Sequence, residues 1–252
     1  MLTEHEKTRY MRQIIFPSLG EDGQNKLKAA KVVVAGVGGL GSPVSIYLAY
    51  AGVGHIKLVD YDTVSLSNLN RQILYTEDNI GQLKVLAAAE VIKHMNPYIE
   101  VSAIPDRITG TNVREIIRGA TVVVDAMDNF ETRLVLNTAC VADNIPFVHA
   151  GVYGLVGELM TILPGQTPCL ACFFPNSPRK TEPPPIFGVT PGFMAAFQAA
   201  ETIKLVAGFG KLMTARMLYV NAETMEFRMV NISRRVDCPV CGKDTFNVKC
   251  NT

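Results

Sequence analysis

Between Lys31 and Ala150 the chain switches repeatedly between two apolar patterns. Short runs, of which K-V-V-V-A at Lys31–Ala35 is the purest, recur at Ile56–Asp60, Glu100–Ile104, Thr121–Asp125 and Pro146–Ala150. Runs of that length predict strands buried on both faces. Between them, apolar residues fall at helical spacing over Pro43–Ala51, Lys84–Met95, Asn112–Arg118 and Glu131–Asp143. Asn96-Pro97 stops the second of these, because proline supplies no N–H and clashes with the preceding turn. Two further helices, Glu4–Gln13 and Gln24–Ala29, come before the first strand. Such regular alternation predicts an α/β fold, a mostly parallel sheet with helices on both faces.

After Gly151 the pattern changes. Tyr153–Ile162 reads as one or two antiparallel strands, Pro164–Pro191 as a proline-rich loop, and Phe193–Ala207 as a helix. Met217–Asn221 and Glu226–Asn231 read as a terminal hairpin. The expectation is one domain over residues 1–252. It would comprise a nucleotide-binding half to about residue 150 and a C-terminal antiparallel extension.

Composition narrows the setting. A length of 252 residues with 48% apolar content supports a full hydrophobic core. A formal charge of +1 argues against a general nucleic-acid-binding surface. No apolar run reaches membrane-spanning length, and the start M-L-T-E-H-E-K lacks a signal-peptide stretch, so a cytoplasmic protein is expected. There thiols stay reduced, and six cysteines point to metal or catalysis before disulfides.

The first strand runs into V-V-V-A-G-V-G-G-L-G-S, Val32–Ser42, and the second closes on Asp60. Gly36, Gly38, Gly39 and Gly41 allow a tight turn and a close approach of backbone to phosphate. The helix that follows aims free N–H groups at the same point. Asp60 stands where an acid accepts ribose hydroxyls. Strand, turn, helix and acid in this order give a Rossmann-like nucleotide site, of dinucleotide or ATP type.

Two C-x-x-C pairs, Cys169/Cys172 and Cys238/Cys241, supply the four thiolates of a structural zinc site. They would tie the C-terminal segment to the loop after the sheet. Cys140 reads as buried packing and Cys250 as a tail residue. Between Asp60 and Gln72 lies D-Y-D-T-V-S-L-S-N-L-N-R-Q. Asp60 and Asp62 add carboxylates at a strand end, Ser67, Asn68 and Asn70 neutral donors, and Arg71 a planar cation suited to phosphate. Lys84 can hold phosphate as a point charge. Asp128 and Asn129 follow the fourth strand, and Asp128 suits Mg²⁺, which takes one or two carboxylates with phosphate oxygens. His149 closes the fifth strand and reads as a strand-end histidine satisfied by backbone. Gly151, Tyr153 and Gly154 are candidates for lining a narrow groove.

G-V-G-G-L-G-S, N-L-N-R-Q, the lysine after G-Q-L, D-N-F-E-T-R and the paired C-x-x-C together resemble the ThiF/MoeB/HesA family, relatives of ubiquitin-activating enzymes. The resemblance runs from about Arg9 to about Cys241. It implies an adenylyltransferase that uses Mg-ATP to adenylate the C-terminal glycine of a ubiquitin-fold sulfur carrier ending in Gly-Gly. By position it implies Gly39 and Asp60 on the nucleotide, Asn68, Arg71 and Lys84 around the phosphates, and Asp128 on magnesium. It also implies a homodimer in which Arg12 enters the partner's site. Sulfur-transferring members carry a cysteine in the crossover loop. Here Arg179–Gly192 has none, and Thr181 stands near its place. Adenylation without an obligatory enzyme thioester is therefore expected, with a separate sulfur donor. Three rivals share parts of the pattern, one of them a non-catalytic binding module, against which the intact phosphate and metal positions argue. An NAD-dependent oxidoreductase needs neither Arg71, Lys84 nor Asp128. Activation of a carboxylate on a modified tRNA nucleoside fits poorly with the near-neutral charge.

Overall fold

In the computed structural model, which describes residues 1–175 and 185–242, strand β1 (Lys31–Ala35) is the axis. Val32 and Val34 face one side, Val33 and Ala35 the other, and both sides are buried, which is why the run is unbroken. β1 lies between β2 (His55–Val59) and β4 (Val122–Asp125), with β3 (Glu100–Ile104) outside β2 and β5 (Phe147–Tyr153) outside β4. All these pairings are parallel. β6 (Val156–Ile162), β7 (Arg216–Asn221) and β8 (Glu226–Asn231) then add in antiparallel fashion, completing an eight-stranded sheet in the order 3-2-1-4-5-6-7-8. The chain reverses its direction of travel between β1 and β4, and a crevice opens there at the strand C-termini.

Helices cover both faces. On one lie α2 (Gly20–Ala29), α3 (Gly41–Ala51), α4 (Lys84–Met95) and α8 (Val189–Ala207), packed through Leu27, Leu48, Ile92 and Ala195. On the other lie α5 (Val113–Ile116), α6 (Phe130–Ala142) and α7 (Leu170–Phe173), packed through Ile116, Leu136 and Leu170. Helix α1 (Glu4–Ile14) precedes them, opened by a capping box between Thr3 and Glu6. Its Tyr10 and Gln13 reach the C-terminal end of α3: Tyr10 accepts from Asn96, which also donates to Ala49, and Gln13 donates to the Ala51 carbonyl.

Three sequence expectations change. The 164–191 segment is not all loop, since α7 forms a buried turn around Cys172 and α8 begins at Val189. Pro191 lies in the first turn of α8, where a missing N–H costs nothing. The fifth strand does not end at Ala150: antiparallel pairing with β6 carries it to Tyr153, and Gly154 turns the hairpin at φ +56°. His149 is thus inside the strand, and its ring meets side-chain carboxylates, not backbone. Among the described residues no helix is long and apolar enough to cross a membrane.

Candidate active site

The glycine turn at the C-terminus of β1 is fixed from several sides. Gly36 adopts φ +90°, and a Cβ there would stand 2.6 Å from the Ala126 carbonyl oxygen across the crevice. Asp60 Oδ2 accepts the Val37 N–H at 2.8 Å, and its Oδ1 accepts the Asp62 N–H at 2.9 Å. Burial pushes the Asp60 carboxyl above its usual range, against these N–H bonds and Lys84, which hold it down. A carboxylate offers about four acceptor sites, so both oxygens retain capacity for ribose hydroxyls. Tyr75 donates its hydroxyl to the Val37 carbonyl at 2.8 Å, and Ser42 does so at 3.2 Å. The sequence reading missed Tyr75; its isolated aromatic ring carried no positional signal.

Around this turn the cationic groups gather. Gly39 faces Arg71, whose Cγ would lie 3.5 Å from a Cβ at that glycine, and Pro191 of α8, at 3.3 Å. Arg71 Nη1 donates to the Ser67 carbonyl at 2.8 Å and to Asn70 Oδ1 at 3.0 Å. It has no carboxylate partner among the described residues, so most of its donors face outward. Asn68 closes the 3-10 turn Leu66–Asn68 by accepting the Ser65 N–H, and Ser67 Oγ pairs with Ser65 Oγ. Gln72 lies under Gly38. Lys84 opens α4, buried, with Nζ 3.0 Å from Asp62 Oδ2. Asp62 is therefore a partner for Lys84, and the ammonium keeps further donors free for phosphate.

Asp128 and Asn129 lie beyond β4. Asn129 caps α6 by accepting the Thr132 N–H at 2.9 Å, and its amide donates to Asp128 Oδ1 at 3.2 Å. Asp128 is exposed on the rim of a cavity of about 360 Å³ that Tyr61, Arg107, Ile108, Met127 and Asn129 also line. Arg107 stacks on the Tyr61 ring at 4.3 Å from its centroid. Flat, partly apolar walls beside Asp60 suit a planar base. Tyr61, Arg107 and Ile108 were not singled out from sequence, although they lie in the loops that follow β2 and β3.

Arg12 is not brought to this cluster. It is exposed on α1, near the Ala51 end of α3, whereas the glycine turn meets the Gly41 end. Eleven helical residues separate the two ends, roughly 16 Å at 1.5 Å each. Met11, Ile15 and Phe16 beside Arg12 are exposed, as are Tyr47 and Tyr50 on α3.

The four cysteines of the two pairs converge, all buried, with their sulfurs within 4.8 Å of one another. Cys169 and Cys238 Sγ are 3.7 Å apart, and Cys172 and Cys241 Sγ 3.3 Å. Zinc–sulfur bonds of ~2.3 Å in a tetrahedron give sulfur–sulfur edges of about 3.8 Å, so the set could hold zinc. Burial and the neighbouring Cys172 push the Cys169 thiol up to about 11, and a dication among the sulfurs would reverse that shift. Burial likewise raises Cys140, leaving a packed, unreactive thiol. Thr181 and Cys250 lie outside the described residues.

Comparison with known proteins places the chain in a family. The model of the ThiF family matches residues 10–240. The SAMP-activating enzyme E1 of Haloferax volcanii is 40% identical over 240 residues, covering 93% of this chain and 88% of the relative. The sulfur carrier protein adenylyltransferase of Thermus thermophilus is 40% identical over 252 residues, covering 96% and 93%. The crystal structure of E. coli MccB with ATP superposes with a TM-score of 0.84 at 30% identity, covering 96% of this chain and 76% of that one.

Proposed function

Because the chain belongs to the ThiF family, we propose that it is an adenylyltransferase that transfers AMP from ATP to the C-terminal glycine of a ubiquitin-fold sulfur-carrier protein. The observation that carries this reading is the convergence on one glycine turn of Asp60, Arg71 and Lys84, with Asp128 at the neighbouring strand end.

The chemistry follows from those groups. Gly38, Gly39 and the start of α3 would receive the phosphates on backbone N–H groups, and Asp60 the ribose. Tyr61, Arg107 and Ile108 would flank the base. A carrier carboxylate oxygen attacks the α-phosphorus, the bond to the β-phosphate bridging oxygen breaks, and pyrophosphate leaves with its electron pair. No general base is required, because the attacking carboxylate is already ionised. Arg71 and Lys84 stabilise charge that grows on the phosphate oxygens, as preorganised cations beside a half-closed crevice. Asp128 would hold Mg²⁺ together with phosphate oxygens, which supplies Lewis-acid stabilisation. The cysteine set would hold zinc as a closed, structural site.

Arg12 would serve the partner's site in a homodimer. Its distance from its own glycine turn and the exposed Met11, Ile15, Phe16 and Tyr50 support that arrangement. The described residues offer no accessible thiol near the turn, which supports adenylation without an enzyme thioester and release of the acyl-adenylate to a separate sulfur donor. Gly154, whose carbonyl accepts from Thr190 at 2.7 Å, ties the β5–β6 turn to the entry of α8, beside the place where a Gly-Gly tail would pass.

The test is ATP–pyrophosphate exchange with Mg²⁺ and each Gly-Gly-ending ubiquitin-fold protein of the same genome. Exchange dependent on one carrier is expected. ATP binding without exchange for any carrier would overturn the choice of acceptor.

A further inference from the structure

Among the buried groups that adenylation leaves unused, His149 is placed most unusually. It is fully buried inside β5 and lies between two carboxylates. Nδ1 is 2.6 Å from Asp125 Oδ2 on β4, and Nε2 is 3.4 Å from Glu158 Oε1 on β6. Carboxylate oxygens only accept, so a ring bonded to both carries a proton on each nitrogen and is cationic. Arg133 of α6 adds a second cation, its Nε 3.7 Å from the same Asp125 oxygen. Phe174, just past α7, closes the cluster edge-on, with ring centroids 6.5 Å apart. Burial works to lower the His149 pKa, but the hydrogen bonds with Asp125 and Glu158 outweigh it and hold the pKa above its ordinary value.

The cluster grips both main-chain polar groups of one residue, Met127. Asp125 Oδ1 accepts the Met127 N–H at 3.0 Å. Arg133 Nε and Nη2 donate to the Met127 carbonyl at 3.1 and 2.5 Å. Behind them, Gln198 of α8 donates to the Asp125 main-chain carbonyl at 2.7 Å. The residue after this clamped Met127 is Asp128. We propose that His149 is a positioning residue for the Asp128 loop: by holding one oxygen of Asp125, it keeps the other on the Met127 N–H and leaves Arg133 to the Met127 carbonyl. Without the imidazole, Arg133 is the cation at hand for a buried carboxylate, and its move onto Asp125 releases the loop. The inference rests on the adenylation reading only for the purpose of that loop.

Amide exchange followed by NMR on the full chain without metal or nucleotide tests the clamp directly. His149→Ala is expected to speed exchange of the 127–129 amides at least about tenfold, as loss of a charge-assisted hydrogen bond implies, with β1 amides unchanged. His149→Asn, whose amide can donate from the Nδ1 position, restores most of the protection. His149→Gln, whose amide sits at the Nε2 position, does not; this pair carries the test should the alanine variant fail to fold. In parallel, the Mg²⁺ concentration giving half-maximal pyrophosphate exchange should rise about tenfold in His149→Gln and return in His149→Asn. Unchanged 127–129 protection in His149→Gln, or loosening spread equally over the sheet, overturns the positioning role. A wild-type protein that shows no carrier-dependent exchange sinks the choice of acceptor instead, and the amide measurement still decides the clamp.

Discussion

A Cβ added at Gly41 would stand 1.9 Å from the Gly36 carbonyl oxygen, whereas one at Gly38 would meet nothing closer than Gln72 Nε2 at 3.5 Å. The two glycines therefore do different work. Gly41→Ala forces the turn apart and is expected to cost about 3 kcal/mol of stability in urea unfolding. Gly38→Ala should leave stability within about 0.5 kcal/mol of wild type, because its methyl meets only ordinary contacts, while weakening ATP binding in calorimetry, as expected where backbone approaches phosphate closely. Asp128 is exposed, and among the described residues its one side-chain partner is the adjacent Asn129. Asp128→Ala should keep the melting temperature and zinc content but lower pyrophosphate exchange at least about a hundredfold, the several kcal/mol that a metal contributes to a phosphoryl transition state. An unchanged rate would remove Asp128 from the scheme. His149 gives a pH signature. Its pKa is raised on folding from the ordinary 6.5, so its charge stabilises the fold fully below that value, and the contribution fades as pH rises through the folded-state pKa. The stability gap between wild type and His149→Asn should narrow as pH climbs above about 6.5. A flat gap in urea midpoints would contradict a cationic ring.

At the scale of elements, the cysteine set joins two segments that do not otherwise form a common strand or helix: the α7 turn and the chain after β8. Its influence extends beyond that staple. Phe173 and Phe174 follow Cys172, Phe174 packs edge-on against Phe130 at 4.8 Å, and Arg133 lies over Phe130 at 5.2 Å. The first turn of α6, which carries Asn129 as its cap, therefore rests on the cysteine knuckle. Cys238→Ser is expected to lose about one zinc per chain by elemental analysis and to lower the melting temperature by at least about 5 °C. It should also slow exchange, although none of the described cysteines touches the crevice. Full stability without zinc would show that thiol packing alone closes the set. The proline-rich stretch before α8 masked these elements from a periodicity reading. A helix of four residues has no period to detect, and Pro191 reads as a breaker unless its place in a first turn is known.

At the scale of the molecule, the separation of Arg12 from its own crevice predicts a division of labour between subunits. Arg12→Ala and Asp128→Ala homodimers should each be inactive. Mixed after unfolding and refolding together, they should recover roughly a quarter of wild-type activity, because half the dimers are mixed and each of those holds one complete site. Recovery of nothing, with mixed dimers demonstrated by mass spectrometry, would place Arg12 outside the partner's site. The C-terminal strands contrast with the parallel half. Phe227, Met229 and Val230 of β8 are exposed, while the central strands β1 and β4 are buried on both faces, so the sheet grades from a sealed centre to an open edge at β8.

The sequence by itself determined the parallel half, because strands buried on both faces must be continuously apolar and glycine must stand where backbone crosses backbone, as at Gly36 and Gly41. It also marked the strand ends where polar chemistry collects, and it paired the four cysteines by spacing. Tertiary structure alone decided which of those polar groups serve ligand and which serve one another. Asp62 turned out to hold Lys84, and Tyr75 to fix the glycine turn from 38 residues away. His149 looked like a backbone-satisfied strand end, yet its partners come from β4 and β6. Such pairings follow from strand order and register, which place residues distant in the chain side by side, and no local pattern of apolar and polar positions encodes that order.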